Sequence, residues 1–431
     1  MPAIDTFADL IEPFSRRGVD LGLERMRSAL AELGHPERRF PAVQVAGTNG
    51  KGSICTLVHA ALLASGLRAG LYTSPHLVSW CERIQLGDGP IDAQELRQLL
   101  SDLQPLARRH DLTPFELVTL AAFQAFAEAG LDLVVLEVGL GGRLDATTVH
   151  PERQVLGFAA IGMDHSEVLG STIAAIAAEK AGIFTPGSLA VSGPQQPEAA
   201  AVLHQRALES CSDLHWVEPL AMAEGDLVAG QLRWRSGLPG LVQRHNAAVA
   251  LGLVRALRQR GWRIPDQAIV EGFERARWPA RLQRVRWQGQ PLLLDGAHNL
   301  PAAEALRQEL DQGGAAQGGR CWLLGVLANK PAPEMLRALL AAGDRAWLVP
   351  VPEHPCWSLE PLLEAAPELT GRLRASPSVA EGLAAAATGA GGQTVVVAGS
   401  LYLIGALIRS GTLQDPQRSG GEWRENPTAA P

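Results

Sequence analysis

Four short apolar runs, AVQVAG (residues 42–47), LDLVVLEV (131–138), VLGFAAIG (155–162) and SLAVSG (188–193), alternate with segments whose apolar residues recur at helical spacing. A strand that is apolar on both faces needs cover on both faces, so runs of this kind belong to a parallel sheet held between helices. The first run leads directly into a glycine-rich turn, after which Ile54, Leu57, Val58, Ala61 and Leu62 fall on one helical face. That turn therefore joins a strand to a helix. A second alternation follows WPARLQRVRW: PLLLD (291–295), a GAHN turn, a helix with Pro301 in its first turn, then CWLLGVL, AWLVPV and TVVVAGSL. The expected fold class is α/β, a parallel-sheet domain carrying a phosphate loop (residues 1–283) followed by a smaller Rossmann-like α/β domain (284–412). A length of 431 residues exceeds what one core supports, and the domain boundary is expected within residues 278–287. Residues 413–431, rich in Gly, Pro and polar side chains, are expected to be a flexible tail.

A net charge of -7 argues against a general nucleic-acid binder. No apolar run is long enough to span a bilayer, and the first residues lack the basic-then-apolar pattern of an export signal, so no membrane partner and a cytoplasmic location are expected. The five cysteines are scattered without a CxxC pair, which indicates neither a zinc site nor a disulfide framework.

Lys51, Lys180 and Lys330 are the only lysines, against 35 arginines. A compact ammonium enters a phosphate loop and a primary amine takes up CO2 as a carbamate, whereas a planar guanidinium does neither well. Survival of a few lysines on solvated loops is the alternative. In VAGTNGKGS (residues 45–53) the glycines Gly47, Gly50 and Gly52 allow a tight turn, so backbone N–H groups from Asn49 to Ser53 can face phosphate oxygens while Lys51 reaches the β- and γ-phosphates. The pattern departs from GxxxxGK[ST], because Val45 takes the first glycine position and Gly52 separates Lys51 from Ser53. Glu137 ends an apolar strand, where a carboxylate meets a metal ion in phosphate-loop ATPases, or stands as a lone edge carboxylate. His165 alone reads as a proton carrier or a structural residue. Lys180 beside Glu179 reads ordinarily as half of a surface ion pair. Asp295 and His298 fall just past a parallel strand, where such sheets place ligand-binding groups, although His298 also suits a turn histidine bonded to backbone. Phe115 serves equally as core or as a stacking platform.

Taken in order, GTNGKGS, YTSPHL (72–77), LEVGLGGRLDAT (136–147), MDH (163–165), EKAGIF (179–184) and LDGAHN (294–299) resemble the folylpolyglutamate synthase and dihydrofolate synthase family of the Mur ligase superfamily, across nearly the whole chain. The resemblance implies an ATP-dependent acid–amino-acid ligase: ATP phosphorylates a carboxylate, and the amino group of L-glutamate displaces phosphate from the acyl phosphate. Implied substrates are dihydropteroate and folates, with folylpolyglutamate synthase activity alone, or another Mur-type amide ligase, as the alternative. It further implies Mg2+ held by Ser74, Glu137 and His165, with K+ as a further cation; carbamylated Lys180; catalytic roles for Lys51, Lys180 and His298; and ATP contacts from Asn49, Gly50, Lys51, Gly52, Ser53, Asn246, Arg281 and Asp295. Val19, Asp20, Leu21, Phe115, Glu116, Leu144, Asp145 and Ala146 match segments lining the pterin pocket, and a monomer is implied. Three positions depart from the family pattern: Ala280 replaces a glycine before Arg281, Thr148 stands where Asn is commoner, and Lys330 lies in NKP rather than a DKD-like loop.

Overall fold

The computed structural model describes residues 6–17, 20–312 and 319–415. The chain divides into two compact units between Trp278 and Pro279. Residues 279–283, assigned above to the first domain, group with the second.

The first unit is built on an eight-stranded sheet comprising β1 (Ala42–Ala46), β2 (Ala69–Tyr72), β3 (Ile84–Leu86), β4 (Gly89–Pro90), β5 (Leu133–Glu137), β6 (Arg153–Phe158), β7 (Leu189–Ser192) and β8 (Asp213–Trp216). Their order is β4-β3-β2-β5-β1-β6-β7-β8, and every pairing from β2 to β8 is parallel. The β3–β4 hairpin adds an antiparallel edge. Because β2, β5, β1 and β6 are parallel neighbours, the loops that follow them emerge side by side along one edge. This is where α/β sheets bind ligands. The sequence run at 155–162 suggested a longer strand, but β6 ends at Phe158 and residues 159–162 turn to bond with the loop after β1.

The helix Lys51–Ala64 does more than present one apolar face. It lies between the sheet and the helices Gln243–Gln259 and Asp266–Arg275, and residues on all its sides, from Gly52 and Ser53 to Ala61 and Leu62, are buried. Gly272 permits the closest approach, since a Cβ there would fall 2.5 Å from the Ala61 nitrogen. A small antiparallel sheet, Ala221–Ala223, Asp226–Ala229 and Leu232–Trp234, was not foreseen from sequence. Its strands are three or four residues long, and only Leu227 and Trp234 enter the core.

The second unit has a seven-stranded sheet in the order Leu373–Ala375, Arg345–Leu348, Cys321–Leu324, Val395–Ala398, Gln290–Leu294, Gln283–Trp287, Leu413–Gln414. The pairings among the first five are parallel, and the two pairings made by Gln283–Trp287 are antiparallel. The run AWLVPV stops pairing before Pro350, which has no N–H to give. The expected tail begins instead as an edge strand, with Leu413 opposite Trp287 and Gln414 opposite Arg286. Its residues 416–431 lie outside the described residues.

Ala280, the departure from glycine, is fully buried at φ 58°. Ala280→Gly would relieve about 1–2 kcal/mol of left-handed strain but lose about 0.8 kcal/mol of methyl burial, so its denaturation midpoint is expected to lie close to that of the parent. Ala280→Val, which adds β-branching and bulk, should lose about 3 kcal/mol in the same urea titration. Equal midpoints for the two variants would contradict this account.

Candidate active site

Gly47 and Gly50 adopt φ of 143° and 97°, values that only glycine takes without strain. Both positions are also crowded. A Cβ at Gly47 would lie 2.6 Å from the Ala159 Cβ, and one at Gly50 would lie 2.3 Å from Asn246 Oδ1. Gly50 caps the helix Lys51–Ala64, whose first internal bond runs from the Ile54 N–H to the Gly50 carbonyl. The N–H groups of Lys51, Gly52 and Ser53 therefore have no acceptor within the helix and sit at its positive end. The Lys51 ammonium donates to the Thr48 carbonyl at 3.2 Å, folding back over the loop. Behind the loop, Asn246 Nδ2 donates to Gln243 Oε1 at 3.0 Å, and Gln243 Nε2 donates to Ser53 Oγ at 3.5 Å. Trp278 closes on Gly52, where a Cβ would meet its ring at 2.6 Å. Gln243 and Trp278 were not anticipated; neither stands in a recognisable motif.

Glu137 is buried at the end of β5, and its backbone is in register with Val45 just before the loop. The Ser74 N–H donates to Glu137 Oε2 at 3.2 Å, bringing the loop after β2 to the same carboxylate. Lys51 and Glu137 share this neighbourhood. The buried Cys55 thiol is pushed well up chiefly by burial, with the Glu137 charge raising it further and Lys51 opposing.

Lys180 is buried, and its ammonium donates to the Gly47 carbonyl at 2.9 Å. Burial first, then the charge of Lys51, brings its pKa down to about 7, against the opposing pull of Asp164 and Asp145. The ion pair with Glu179 does not form; Glu179 binds Arg143 at 2.8 Å. His165 opens a short helix at φ 51°, is 40% exposed, and stands 3.9 Å from both Asp164 and Glu167. Among the described residues no three His, Cys, Asp or Glu side chains form a metal-binding group. The expected set of Ser74, Glu137 and His165 contains only two residues of those types.

The pterin-pocket candidates divide differently. Val19 lies outside the described residues. Asp20 and Glu116 are joined through Arg25, which donates Nη1 to Asp20 Oδ2 at 2.9 Å and Nε to Glu116 Oε2 at 3.1 Å. Glu116 also closes a capping box with Thr113, so its carboxylate is committed to structure. Asp145 accepts the N–H groups of Gly139 and Leu140 on Oδ2, and the N–H and hydroxyl of Thr147 on Oδ1. Four donors fill a carboxylate's acceptor sites. With these bonds Asp145 organises the glycine turn. Burial pushes its pKa up, opposed by these donors. Asp145→Asn leaves buried N–H groups facing a donor and is expected to cost about 1–3 kcal/mol in a denaturation titration; an unchanged midpoint would refute the assignment. Thr148 donates to the Gly142 carbonyl at 2.7 Å and receives Gln44 Nε2 at 2.9 Å, so the hydroxyl also serves the turn. Phe115 is half-buried, packed where a Cβ on Gly139 would meet its ring at 2.5 Å. Leu21 and Leu144 are half-buried and Ala146 is buried.

In the second unit, Asp295 accepts from the Leu282 N–H and the Ala297 N–H, each at 3.0 Å. Burial pushes its pKa up while the Arg281 charge opposes. Arg281 packs on Gly296, where a Cβ would touch Nη1 at 2.4 Å. The His298 Nδ1 lies 2.7 Å from the Gly296 carbonyl, so it carries the proton, the backbone-bonded arrangement weighed above. Ser400 was missed: it caps the helix Leu401–Arg409, accepting the Tyr402 N–H at 3.1 Å, and the Gly399 N–H bonds the Ala297 carbonyl at 2.9 Å. A buried strand ending in Gly-Ser before a helix was the available signal. Lys330 is buried, and its carbonyl accepts from Trp357 Nε1 at 3.0 Å.

The family model described as "Dihydrofolate synthetase, C-terminal domain" matches residues 280–410. The dihydrofolate synthase/folylpolyglutamate synthase of Escherichia coli is 33% identical over 427 residues, covering 96% of each chain. A solved structure of E. coli FolC in complex with DHPP and ADP superposes with a TM-score of 0.84 at 30% identity, covering 96% of this chain and 99% of its own. A bifunctional folylpolyglutamate synthase/dihydrofolate synthase with Mn, AMPPNP and L-glutamate bound gives a TM-score of 0.81 at 31% identity, over 94% and 98%. With the ordered loops and strand topology already in place, these likenesses establish that the chain belongs to the dihydrofolate synthase/folylpolyglutamate synthase family.

Proposed function

We propose that this chain is an ATP-dependent ligase that adds L-glutamate to dihydropteroate and to the γ-carboxylate of folates, through an acyl phosphate. The observation that supports this most is the delivery of the glycine loop, Ser74, Glu137 and the segment leading to His165 to one edge by four adjacent parallel strands, in a chain whose relatives carry those two activities in their names. A carboxylate has no leaving group; phosphorylation supplies one, and the amine then displaces phosphate. Catalysis of the first step is largely positioning and charge neutralisation. Lys51 and the N–H groups of Asn49 to Ser53 fit the phosphate chain, since the positive-φ glycines leave room for phosphate oxygens where a side chain would stand. Asn246 braces that loop.

The Ser74 hydroxyl and the Glu137 carboxylate are hard oxygen donors on neighbouring strand ends, a set that suits Mg2+ or Mn2+. His165 would complete it as the softer member. When bound, the ion neutralises charge on the transferred phosphoryl group. Lys180 needs an unprotonated amine to be carbamylated: nitrogen bonds to the carbon of CO2 and the proton leaves to solvent. With a pKa of about 7 the amine is roughly half neutral at neutral pH, against well under 1% for an ordinary lysine. In the second unit Arg281 and Asp295 serve the nucleotide, and His298 lies at the strand end where the reacting groups are handled. Phe115, Leu21 and Leu144 offer apolar surface to a pterin. K+ and a monomeric state complete the reading, and among the described residues no helix is long and apolar enough to cross a membrane.

The test is mass spectrometry after incubation with ATP, Mg2+, L-glutamate and either dihydropteroate or tetrahydrofolate. A product heavier by one glutamyl unit is expected in each arm. ATP hydrolysis without a glutamyl product in either arm overturns the reading; product in the tetrahydrofolate arm alone reduces it to the polyglutamate activity.

A further inference from the structure

One side chain outside every motif holds the far side of the segment that leads to His165. After β6, residues 159–162 are bonded on one side to the glycine loop. The Ala160 carbonyl accepts the Thr48 N–H at 2.8 Å and the Asn49 N–H at 3.2 Å. The Thr48 hydroxyl donates to the Gly162 carbonyl at 3.0 Å and accepts the Gly162 N–H at 3.1 Å. On the other side the primary amide of Gln195, from the segment after β7, mimics a passing strand. Its Oε1 accepts the Ile161 N–H at 2.9 Å, and its Nε2 donates to the Ala159 carbonyl at 3.0 Å and to Ser192 Oγ at 3.2 Å. Residues 159–161 are thus clamped between the phosphate loop and one glutamine. The chain released from this clamp runs straight into Asp164 and His165. Asp164 is the charge that most favours protonation of Lys180, which itself grips the Gly47 carbonyl.

We propose that Gln195 is a positioning residue of the nucleotide–metal site: its amide fixes residues 159–161 against the phosphate loop and thereby sets where the 162–165 segment presents its side chains to a divalent ion. The inference rests on the reading of the active site given above. Neither group of Gln195 is replaceable by a single-function side chain, because the clamp uses an acceptor and a donor at once on two backbone groups of the same turn. An apolar residue of similar length would leave the Ile161 N–H and the Ala159 carbonyl without these partners, while the Thr48 bonds to Ala160 and Gly162 persist. The phosphate loop keeps its shape and the metal-side segment loses its brace.

The variants Gln195→Leu and Gln195→Glu in the full chain separate these consequences, the second retaining the acceptor for Ile161 and losing the donor. The readouts are ADP binding by calorimetry without metal, Mn2+ binding to the ADP complex by electron paramagnetic resonance, and the melting temperature. Displacing a residue that orients a metal site from behind weakens metal affinity by about 10–100-fold. Gln195→Leu is therefore expected to bind Mn2+ about tenfold more weakly in the ADP complex, with metal-free ADP affinity changed by less than about threefold. Gln195→Glu should fall between Gln195→Leu and the parent, and carries the test should Gln195→Leu fail to fold. Unchanged Mn2+ affinity, or equal weakening of ADP and Mn2+ alongside a lowered melting temperature, would show that Gln195 merely braces the sheet. A parent protein that binds neither ADP nor Mn2+ would overturn the active-site reading itself, and the inference with it.

Discussion

Gly50→Ala is expected to reduce kcat/KM for ATP by about 100-fold, because a displacement of the reacting groups by about 1 Å is enough for a loss of that size. Two effects combine. An alanine at φ 97° bears about 1–2 kcal/mol of left-handed strain, and its Cβ would lie 2.3 Å from Asn246 Oδ1 and 3.1 Å from Asn246 Cγ. Asn246 cannot step aside cheaply, since it is buried and bonded to Gln243. Either the loop or the Asn246 amide must shift. Gly66→Ala is the control: its φ of 86° imposes the same backbone strain, but nothing lies within 4 Å of the added carbon. That variant should lose about 1–2 kcal/mol of stability and keep its turnover. Steady-state kinetics and urea titration of both variants check this. Full ATP-dependent turnover in Gly50→Ala would remove the loop from the active site.

Lys180→Met is expected to lower turnover by about 100-fold or more, the scale seen when a fixed polar group at a charge-developing site is lost, while altering stability in a pH-dependent way. The sign follows from protonation. Folded, the amine titrates at about 7; its ordinary value is 10.5. Between those pH values the unfolded chain holds a proton that the folded chain does not, so this group makes the parent more stable as pH rises from 7 to 10.5. Below 7 both states are protonated and the buried ammonium exerts its full destabilisation. Methionine removes the titration, so its stability relative to the parent should be greatest below pH 7 and decline toward pH 10.5. Denaturation titrations across that range decide; a difference independent of pH would mean that Lys180 is not held in a desolvated place. Lys180→Arg should not rescue activity, because guanidinium stays charged and cannot form a carbamate.

The contrast between Lys180 and its neighbour marks where sequence reasoning ends. Glu179 and Lys180 are adjacent in the chain, but consecutive helical side chains point in different directions. One reaches Arg143 at the surface and the other turns into the glycine loop. The strand–turn–helix at residues 42–64 was legible because apolar runs and glycine positions carry their own geometry. Glu137 was legible as a strand end. Gln195, Gln243, Arg25 and Trp278 were not, because each acts on a part of the chain distant in sequence that only the fold brings near. The bonds that hold Asp145 escaped for a related reason: its partners are mostly backbone N–H groups, which look alike in every sequence. The small sheet at residues 221–234 escaped because its strands are too short to show a period.

The helix behind the glycine loop is wedged on every side, touching Gly272 backbone to backbone and Trp278 through Gly52. A post so embedded cannot swing, and it cannot melt alone. Occupancy of the loop by a nucleotide should accordingly raise the thermal transition of the whole first unit as one body, and hydrogen exchange should slow in the distant helix Asp266–Arg275 as much as beside the phosphates.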